Sequence, residues 1–136
     1  MVRLIMGNKG SGKTKQLIEL VNAAAKDEAG NVVCIEAGTI MTFDINYQIR
    51  LIDAVEYKID NYDVFRGFIS GLYAGNYDIS HVFIDNLGKI VGGDVGRETE
   101  QFLNWLDQFG EKNNMKFTAT ISADASSATD GMLKFL

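Results

Sequence analysis

Eight residues near the start of the chain, residues 7–14, combine glycines with a lysine and a threonine in an order suited to binding phosphate. They read Gly-Asn-Lys-Gly-Ser-Gly-Lys-Thr and fit the pattern G-x-x-x-x-G-K-[ST], the Walker A or phosphate-binding loop. Glycines let the backbone curl until successive N–H groups point at phosphate oxygens. In this pattern Lys13 contacts the β- and γ-phosphates, and the hydroxyl of Thr14 is a ligand for Mg²⁺. The candidate nucleotide-binding residues are therefore Gly7, Asn8, Lys9, Gly10, Ser11, Gly12, Lys13, Thr14 and Lys15.

The residues on either side of this loop predict the strand and the helix that a phosphate-binding loop needs. Residues 2–6 form a short apolar run suited to a buried strand. After the loop, four apolar residues recur with the spacing of one helix face: Leu17, Leu20, Val21 and Ala24. The positive end of this helix's dipole would face the same anion. The alternative is a glycine-rich turn that only joins a core strand to a core helix.

A second motif, residues 82–85, has the sequence Val-Phe-Ile-Asp and fits the Walker B pattern. A buried strand of this kind carries its final aspartate, Asp85, to the strand tip, where it holds Mg²⁺ through water. Thr14 and Asp85 are thus the candidate metal-binding residues. The alternative is a core strand that happens to end in aspartate.

Strands and helices alternate along the whole chain. Strands are predicted at residues 2–6, 32–35, 82–85 and 117–122, and residues 49–59 favour a fifth strand, although a helix also fits them. Helices are predicted at 13–26, from 61 or 63 to 75, and at 97–112, with a short terminal helix capped by Asp124 or Ser126. Gly30 is expected to end the first helix in a left-handed conformation, and residues 88–96 to form a mobile loop.

This alternation predicts an α/β fold with a mainly parallel sheet of about five strands flanked by helices. In such sheets ligands bind at the carboxyl ends of the strands. Four residues from separate segments are expected at those ends: Gly7, Glu36, Asp85 and Ser122.

Length and composition favour one domain over residues 1–136 and exclude several classes of protein. A net charge of −5 with only four arginines lacks the basic footprint of a nucleic-acid binder. No apolar run reaches the roughly 18 residues of a membrane span, and residues 2–6 are too short for a signal peptide. The single cysteine, Cys34, lies in an apolar run, which suits a cytoplasmic protein without disulfides.

With these motifs the chain resembles the P-loop NTPases over nearly its whole length. From Val32 onward its layout is similar to the RecA-like ATPases: a strand ending in an acidic residue, a helix, then an apolar strand ending in Asp85. Residues 12–18 also resemble the RecA-like thymidine kinases, but the zinc-binding cysteines of those enzymes are absent. The resemblance implies a three-layer P-loop fold that binds a nucleoside triphosphate with Mg²⁺.

The resemblance also implies catalytic roles for Lys13, Asp85 and Glu36. Many relatives place a glutamate base directly after the Walker B aspartate, but this position is Asn86, whose amide accepts no proton at neutral pH. In RecA-like proteins the catalytic glutamate instead ends the strand after the first helix, close to the position of Glu36. That residue either activates the attacking water or only hydrogen-bonds a neighbouring loop. Ser122 and Asp124 lie where such proteins place a γ-phosphate sensor, although Asp124 also suits a helix cap.

An arginine finger would complete phosphoryl-transfer chemistry. The candidates are Arg50, Arg66 and Arg97, and Lys89 has the same status. Each is equally well explained as a solvated surface residue. Arg97 would reach either the bound nucleotide or a neighbouring subunit, which leaves open a homo-oligomer or another protein as partner.

We therefore expect an ATP-binding protein that uses Mg²⁺, since the guanine-reading Asn-Lys-x-Asp motif is absent. The first hypothesis is a slow ATP hydrolase with Glu36 as base. The second is a nucleotide-dependent binding module with little hydrolysis, because the usual glutamate is Asn86. The third is a small-molecule kinase, which would need a lid and a pocket for the phosphoryl acceptor.

Overall fold

The structure, a computed structural model, describes residues 1–136. Its helices and strands follow the predicted order: β1 (Val2–Gly7), α1 (Lys13–Asp27), β2 (Asn31–Glu36), β3 (Arg50–Asp53), α2 (Tyr62–Gly75), β4 (Ile79–Asp85), α3 (Leu87–Val91), α4 (Arg97–Asn113) and β5 (Lys116–Ser122). Two 3-10 helices, Ala125–Ser127 and Asp130–Phe135, end the chain.

All five strands are parallel and lie in the order β1-β5-β4-β2-β3. The predicted mainly parallel sheet of about five strands is therefore confirmed. The register pairs Gly7 with Ser122, and it pairs Glu36 with both Asp53 and Asp85. Because the strands run the same way, these five residues lie together at one edge of the sheet.

Apolar side chains cover both faces of the sheet, as alternation along β2 illustrates. Val33 and Ile35 belong to a core cluster of 23 residues that also contains Phe65 of α2 and Phe102 of α4. The side chains in between, Val32 and Cys34, belong to a second cluster of 9 residues with α1 and the segment before β3. A strand buried on both faces needs a continuous apolar sequence, which explains the run at 32–35.

The predicted strand at 49–59 is too long, because only Arg50–Asp53 pairs with β2. The carboxylate of Asp53 accepts hydrogen bonds from Gly38 N–H (2.8 Å) and Val55 N–H (2.9 Å) and turns the chain. Lys58 then adopts a positive φ of 56°, which no strand residue has. Hydrogen bonding by the Asp53 side chain thus ends the strand before its apolar alternation ends.

The predicted loop at 88–96 is also wrong in its first half, because residues 87–91 form the short helix α3. Leu87 and Ile90 are both buried, and this i, i+3 apolar pair accounts for the helical turn. The loop that remains covers residues 92–96.

Two smaller expectations also fail. Gly30 is not left-handed, since α1 ends at an extended Glu28. A Cβ at Gly30 would lie 2.5 Å from the carbonyl oxygen of Asp78, so close chain approach explains this glycine. The apolar residues of α2 also predict a core face with Val64, Phe65 and Ile69, but Val64 is 42% exposed, whereas Phe65 and Ile69 are fully buried.

Several predicted helix ends are confirmed. The side chain of Asn61 caps α2 by accepting a hydrogen bond from Val64 N–H at 2.9 Å. Asn114 ends α4 in the left-handed conformation, with φ of 55°. Asp124 caps the first 3-10 helix by accepting from Ser126 N–H at 2.9 Å.

Two helical glycines should respond to alanine in opposite directions. A Cβ at Gly110 in α4 would lie 2.5 Å from the carbonyl oxygen of Met115, whereas a Cβ at Gly71 in α2 meets nothing within 4 Å. We expect Gly110→Ala to lower the free energy of unfolding by about 1–3 kcal/mol through overpacking. Gly71→Ala should raise it by about 0.5–1 kcal/mol through lower unfolded-state entropy and higher helix propensity. Urea unfolding of both variants measures these changes, and equal effects would contradict the packing of α4 on β5.

Candidate functional site

A cleft of about 390 Å³ opens at the carboxyl edge of the sheet, where the predicted site residues meet. It is lined by two groups of predicted residues: Lys9, Gly10, Gly12, Lys13, Thr14 and Lys15 from the loop and α1, and Glu36, Asp85 and Ser122 from strand ends. Asn86 and Lys89 also line it, as do Ala37, Ile40 and Met41. Three candidate loop residues do not line it: Gly7, Asn8 and Ser11.

The loop before α1 has a backbone shape that depends on glycine. Gly10 and Gly12 have φ values of 87° and 88°, in the left-handed region where a side chain causes strain. A Cβ at Gly7 would lie 2.5 Å from the Oγ of Ser11, so the loop folds back tightly on the strand end. Ser11 N–H donates to the carbonyl oxygen of Asn8 at 3.0 Å and closes this turn.

The N-terminus of α1 has no side-chain cap, and it differs from those of the other long helices in having no acidic residue nearby. Gly12 supplies no side-chain acceptor, and the first turn contains no acidic residue. In contrast, α2 has a capping Asn61 and an acidic first-turn residue, and α4 has two acidic first-turn residues. The N–H groups of Lys13, Thr14 and Lys15 donate no hydrogen bond within the protein. The free donors and the positive dipole end of α1 therefore face the cleft.

Lys13 places a buried ammonium group in the same cleft. The residue is only 8% exposed, and its Nζ donates to the carbonyl oxygen of Asn8 at 3.1 Å. The three ion pairs of the chain involve other residues, so no carboxylate lies within 4 Å of Lys13 Nζ. A buried cation without a carboxylate partner is costly unless another anion offsets its charge.

A chain of hydrogen bonds joins Asp85 to both α1 and β5. The Oγ1 of Thr14 donates to Asp85 Oδ2 at 3.4 Å, and the Oγ1 of Thr120 donates to Asp85 Oδ1 at 2.8 Å. The same Thr120 oxygen accepts from Asn86 N–H at 2.8 Å. Asn86 has a left-handed φ of 63°, so the chain turns sharply after the strand tip. Thr120 thus fixes the Asp85 carboxylate so that its other oxygen faces Thr14.

Glu36 is 3% exposed, and both of its carboxylate oxygens accept hydrogen bonds from main-chain N–H groups. Ile40 N–H donates to Oε1 at 3.2 Å, and Met41 N–H donates to Oε2 at 3.1 Å. Burial raises the pKa of Glu36, the N–H groups of Met41 and Ile40 oppose this rise, and the carboxylates of Asp85 and Asp53 add to it. The side chain therefore holds the segment after β2 in place and also lines the cleft.

The candidate arginines lie away from the cleft lining. Arg66 pairs with Asp63 at 3.0 Å and lies over the ring of Phe102, 5.6 Å from its centroid. Arg50 begins β3, at the edge of the sheet opposite the cleft, and Arg97 is exposed at the start of α4. Of the cations considered for the arginine-finger role, only Lys89 lines the cleft.

Of the two candidate γ-phosphate sensors, only Ser122 lines the cleft. Asp124 accepts from Ser126 N–H in its capping role, and this hydrogen bond lowers the pKa of Asp124. The only histidine, His81, lies outside the cleft lining. It bonds to Thr118 Oγ1 at 2.9 Å and Glu28 Oε1 at 3.2 Å, and burial lowers its pKa to about 4.

Sequence reasoning missed Thr120 and the cleft wall formed by Ala37, Ile40 and Met41. A signal for Thr120 existed, because Thr118 and Thr120 alternate with apolar residues in the last predicted strand. Both are buried, at 4% and 0% exposure, and both bond to side chains of β4. Polar residues at alternate positions of a buried strand need partners, which points to the neighbouring strand.

No family model matches the sequence, and no curated protein matches it. No helix of the structure is both long and apolar enough to cross a membrane. No group of three or more histidine, cysteine, aspartate or glutamate side chains is arranged to hold a metal ion.

Substitution of Thr120 tests whether it holds the turn after β4. Thr120→Val keeps the shape of the side chain but removes the hydroxyl that bonds to both Asp85 and Asn86 N–H. We expect the free energy of unfolding to fall by about 1–3 kcal/mol, because buried hydrogen-bonding groups lose their partner. Thr120→Ser keeps the hydroxyl and should recover most of this loss. Urea unfolding measures both, and a valine variant as stable as the serine variant would contradict the assigned hydrogen bonds.

Proposed function

We propose that this protein is a P-loop NTPase that binds ATP with Mg²⁺ and hydrolyses it slowly. The observation that carries the proposal is the uncapped N-terminus of α1 beside the buried, carboxylate-free ammonium of Lys13. Both features favour the binding of an anion, and the loop between β1 and α1 has the sequence pattern of a phosphate-binding loop.

The phosphate chain would lie along the loop. The N–H groups of Lys13, Thr14 and Lys15 supply donors for phosphate oxygens, and Lys13 Nζ supplies a charge close to them. Lys9 and Lys15 also line the cleft and add positive charge at its rim. This concentration of cations is local, since the chain as a whole carries a net charge of −5.

The residues of the cleft fit a magnesium ion. Mg²⁺ prefers oxygen ligands, usually one or two carboxylates together with substrate phosphates. The hydroxyl of Thr14 and the Oδ2 of Asp85 lie 3.4 Å apart on the same side of the cleft. These two residues would hold the ion, which when bound neutralises charge on the phosphates.

Adenine is favoured over guanine only because the sequence lacks the guanine-reading Asn-Lys-x-Asp motif. One wall of the cleft is apolar. Ile40 and Met41 line it beside Glu36, whose carboxylate fixes their main chain. No tyrosine lines this cleft.

Hydrolysis requires a group that orients or deprotonates water, and Glu36 is the candidate on the cleft wall. Each of its oxygens accepts one main-chain hydrogen bond, which leaves a further lone pair on each for water. Its raised pKa makes it a stronger base than an ordinary glutamate. Asn86 can orient water through its amide but cannot take its proton.

Nucleotide affinity tests the phosphate site directly. We expect Lys13→Ala to weaken MgATP binding by at least about tenfold, since a hydrogen bond to a charged group contributes about 1.5–3 kcal/mol. Lys26→Ala is the matched control, because Lys26 is an exposed lysine in the last turn of the same helix. Isothermal titration calorimetry measures both affinities. Equal affinities, with circular dichroism showing both variants folded, would reject the proposed phosphate site.

The pH dependence of phosphate release tests Glu36 as the base. Because its pKa lies above the ordinary 4.5, we expect release to rise with pH through that higher pKa and then level off. Glu36→Gln should lower kcat by about 100-fold to 10,000-fold and remove the rise. The NH₂ group of the new glutamine cannot accept the main-chain hydrogen bond that a Glu36 oxygen accepts, so the substitution also disturbs the segment with Ile40 and Met41. MgATP affinity is therefore measured in parallel, to separate this effect from the loss of the base. An unchanged kcat would show that Glu36 is not the base and only anchors the Ile40–Met41 wall. No phosphate release from the unmodified protein, with MgATP still bound, would instead make it a nucleotide-dependent binding module.

A further inference from the structure

A second cleft, of about 240 Å³, adjoins the first and shares Asn86, Lys89 and Ser122 with it. The rest of its wall comes from the start of α2, the 92–96 loop, α4 and the end of β5. The proposed function gives this second cleft no role.

The shared wall lies where the terminal phosphate of a bound nucleotide would be. Asn86 directly follows Asp85, whose carboxylate contacts Thr14. Ser122 is paired with Gly7, the first residue of the phosphate-binding loop. The second cleft therefore opens on the γ-phosphate side of the proposed nucleotide site.

The size of the second cleft exceeds what hydrolysis needs. Its 240 Å³ is roughly eight times the ~30 Å³ that one water molecule takes in the liquid. Hydrolysis uses a single attacking water. The cleft therefore has room for a molecule larger than water.

The lining combines apolar contacts with groups that bind hydroxyls. Val95 and Ile121 supply the apolar part, and the hydroxyl of Tyr62 donates to Thr99 Oγ1 at 3.2 Å. Lys89 and Asp94 also line the cleft, and neither takes part in an ion pair. An ammonium donates to hydroxyl oxygens and a carboxylate accepts from hydroxyl hydrogens, so this pair suits a small polyol or sugar.

We propose that the second cleft binds a small hydroxyl compound that accepts the γ-phosphoryl group. The acceptor oxygen bonds to the γ-phosphorus while the bond from that phosphorus to the β–γ bridging oxygen breaks. ADP leaves with the bridging oxygen, and the hydroxyl proton passes to Asp94, the only carboxylate that lines this cleft. This inference rests on the proposed nucleotide site and replaces water by an alcohol as the acceptor.

Product analysis with the full chain tests the inference. The protein is incubated with MgATP and, in turn, glycerol, erythritol, ribose and serine, while ADP and inorganic phosphate are both measured. We expect ADP to exceed inorganic phosphate with at least one of them, with a matching phosphomonoester signal in the ³¹P NMR spectrum. Equal ADP and phosphate in every mixture would overturn the acceptor site but leave the hydrolase intact. Failure to bind MgATP at all would instead reject the proposed function.

A pair of aspartate variants tests the place of transfer. Asp94→Asn should lower phosphomonoester formation by at least about 100-fold, because the proton acceptor is lost, while MgATP affinity stays within about twofold. Asp78→Asn is the control, since Asp78 is an exposed aspartate at the opposite edge of the sheet and should leave transfer unchanged. Undiminished transfer by the Asp94→Asn variant would overturn the assignment of the second cleft.

Discussion

The accumulation of carboxylates at one edge of the sheet is the constraint on which the rest of the site depends. Asp53, Glu36 and Asp85 end three neighbouring parallel strands and are paired in register. Like charges at this spacing repel one another in a partly buried setting. Each carboxylate is therefore stabilised by its own hydrogen-bond donors, and those donors determine the path of the chain after each strand.

The donors differ from strand to strand, and so do their consequences. Asp53 accepts from Gly38 N–H and turns the chain out of β3, while Glu36 accepts from Ile40 and Met41 N–H and builds a cleft wall. Asp85 accepts only from hydroxyls, those of Thr14 and Thr120. The Asp85 carboxylate keeps lone pairs that a cation can use. The main-chain donors to Asp53 and Glu36 instead fix the path of the chain around these two carboxylates. The carboxylates of Asp53 and Glu36 thus fix the chain that follows their strands, whereas that of Asp85 is free for the Mg²⁺ ion that we propose.

Much of the fold and part of the candidate site are predictable from the sequence because they depend on local patterns. The alternation of apolar strands with amphipathic helices gives β1, α1, β2 and β5 to within one residue at each end, and it gives β4 without its first three residues. It also gives the strand-end positions of Glu36 and Asp85, since these residues end their apolar runs. The roles in nucleotide binding and hydrolysis that the sequence suggests for these residues stay predictions.

The errors arise where contacts distant in sequence decide the local structure. The length of β3 depends on Gly38, 15 residues before Asp53, and periodicity within residues 49–59 contains no trace of that bond. The role of Thr120 depends on Asp85, 35 residues earlier. The identity of Gly30 depends on the carbonyl of Asp78 across the sheet edge. Such residues are assigned only after the strand order is known.

The turn at Asn86 links the two clefts physically. Its left-handed conformation directs the chain into α3, and the buried Leu87 and Ile90 fasten that helix to the core. Lys89 is thereby presented to both clefts from a short helix that is held at both ends. A glutamate at position 86 would add a fourth carboxylate beside Asp85 and Glu36 and raise the repulsion at this edge. An amide avoids that repulsion, and in the reactions that we propose the proton is removed by carboxylates on the cleft walls.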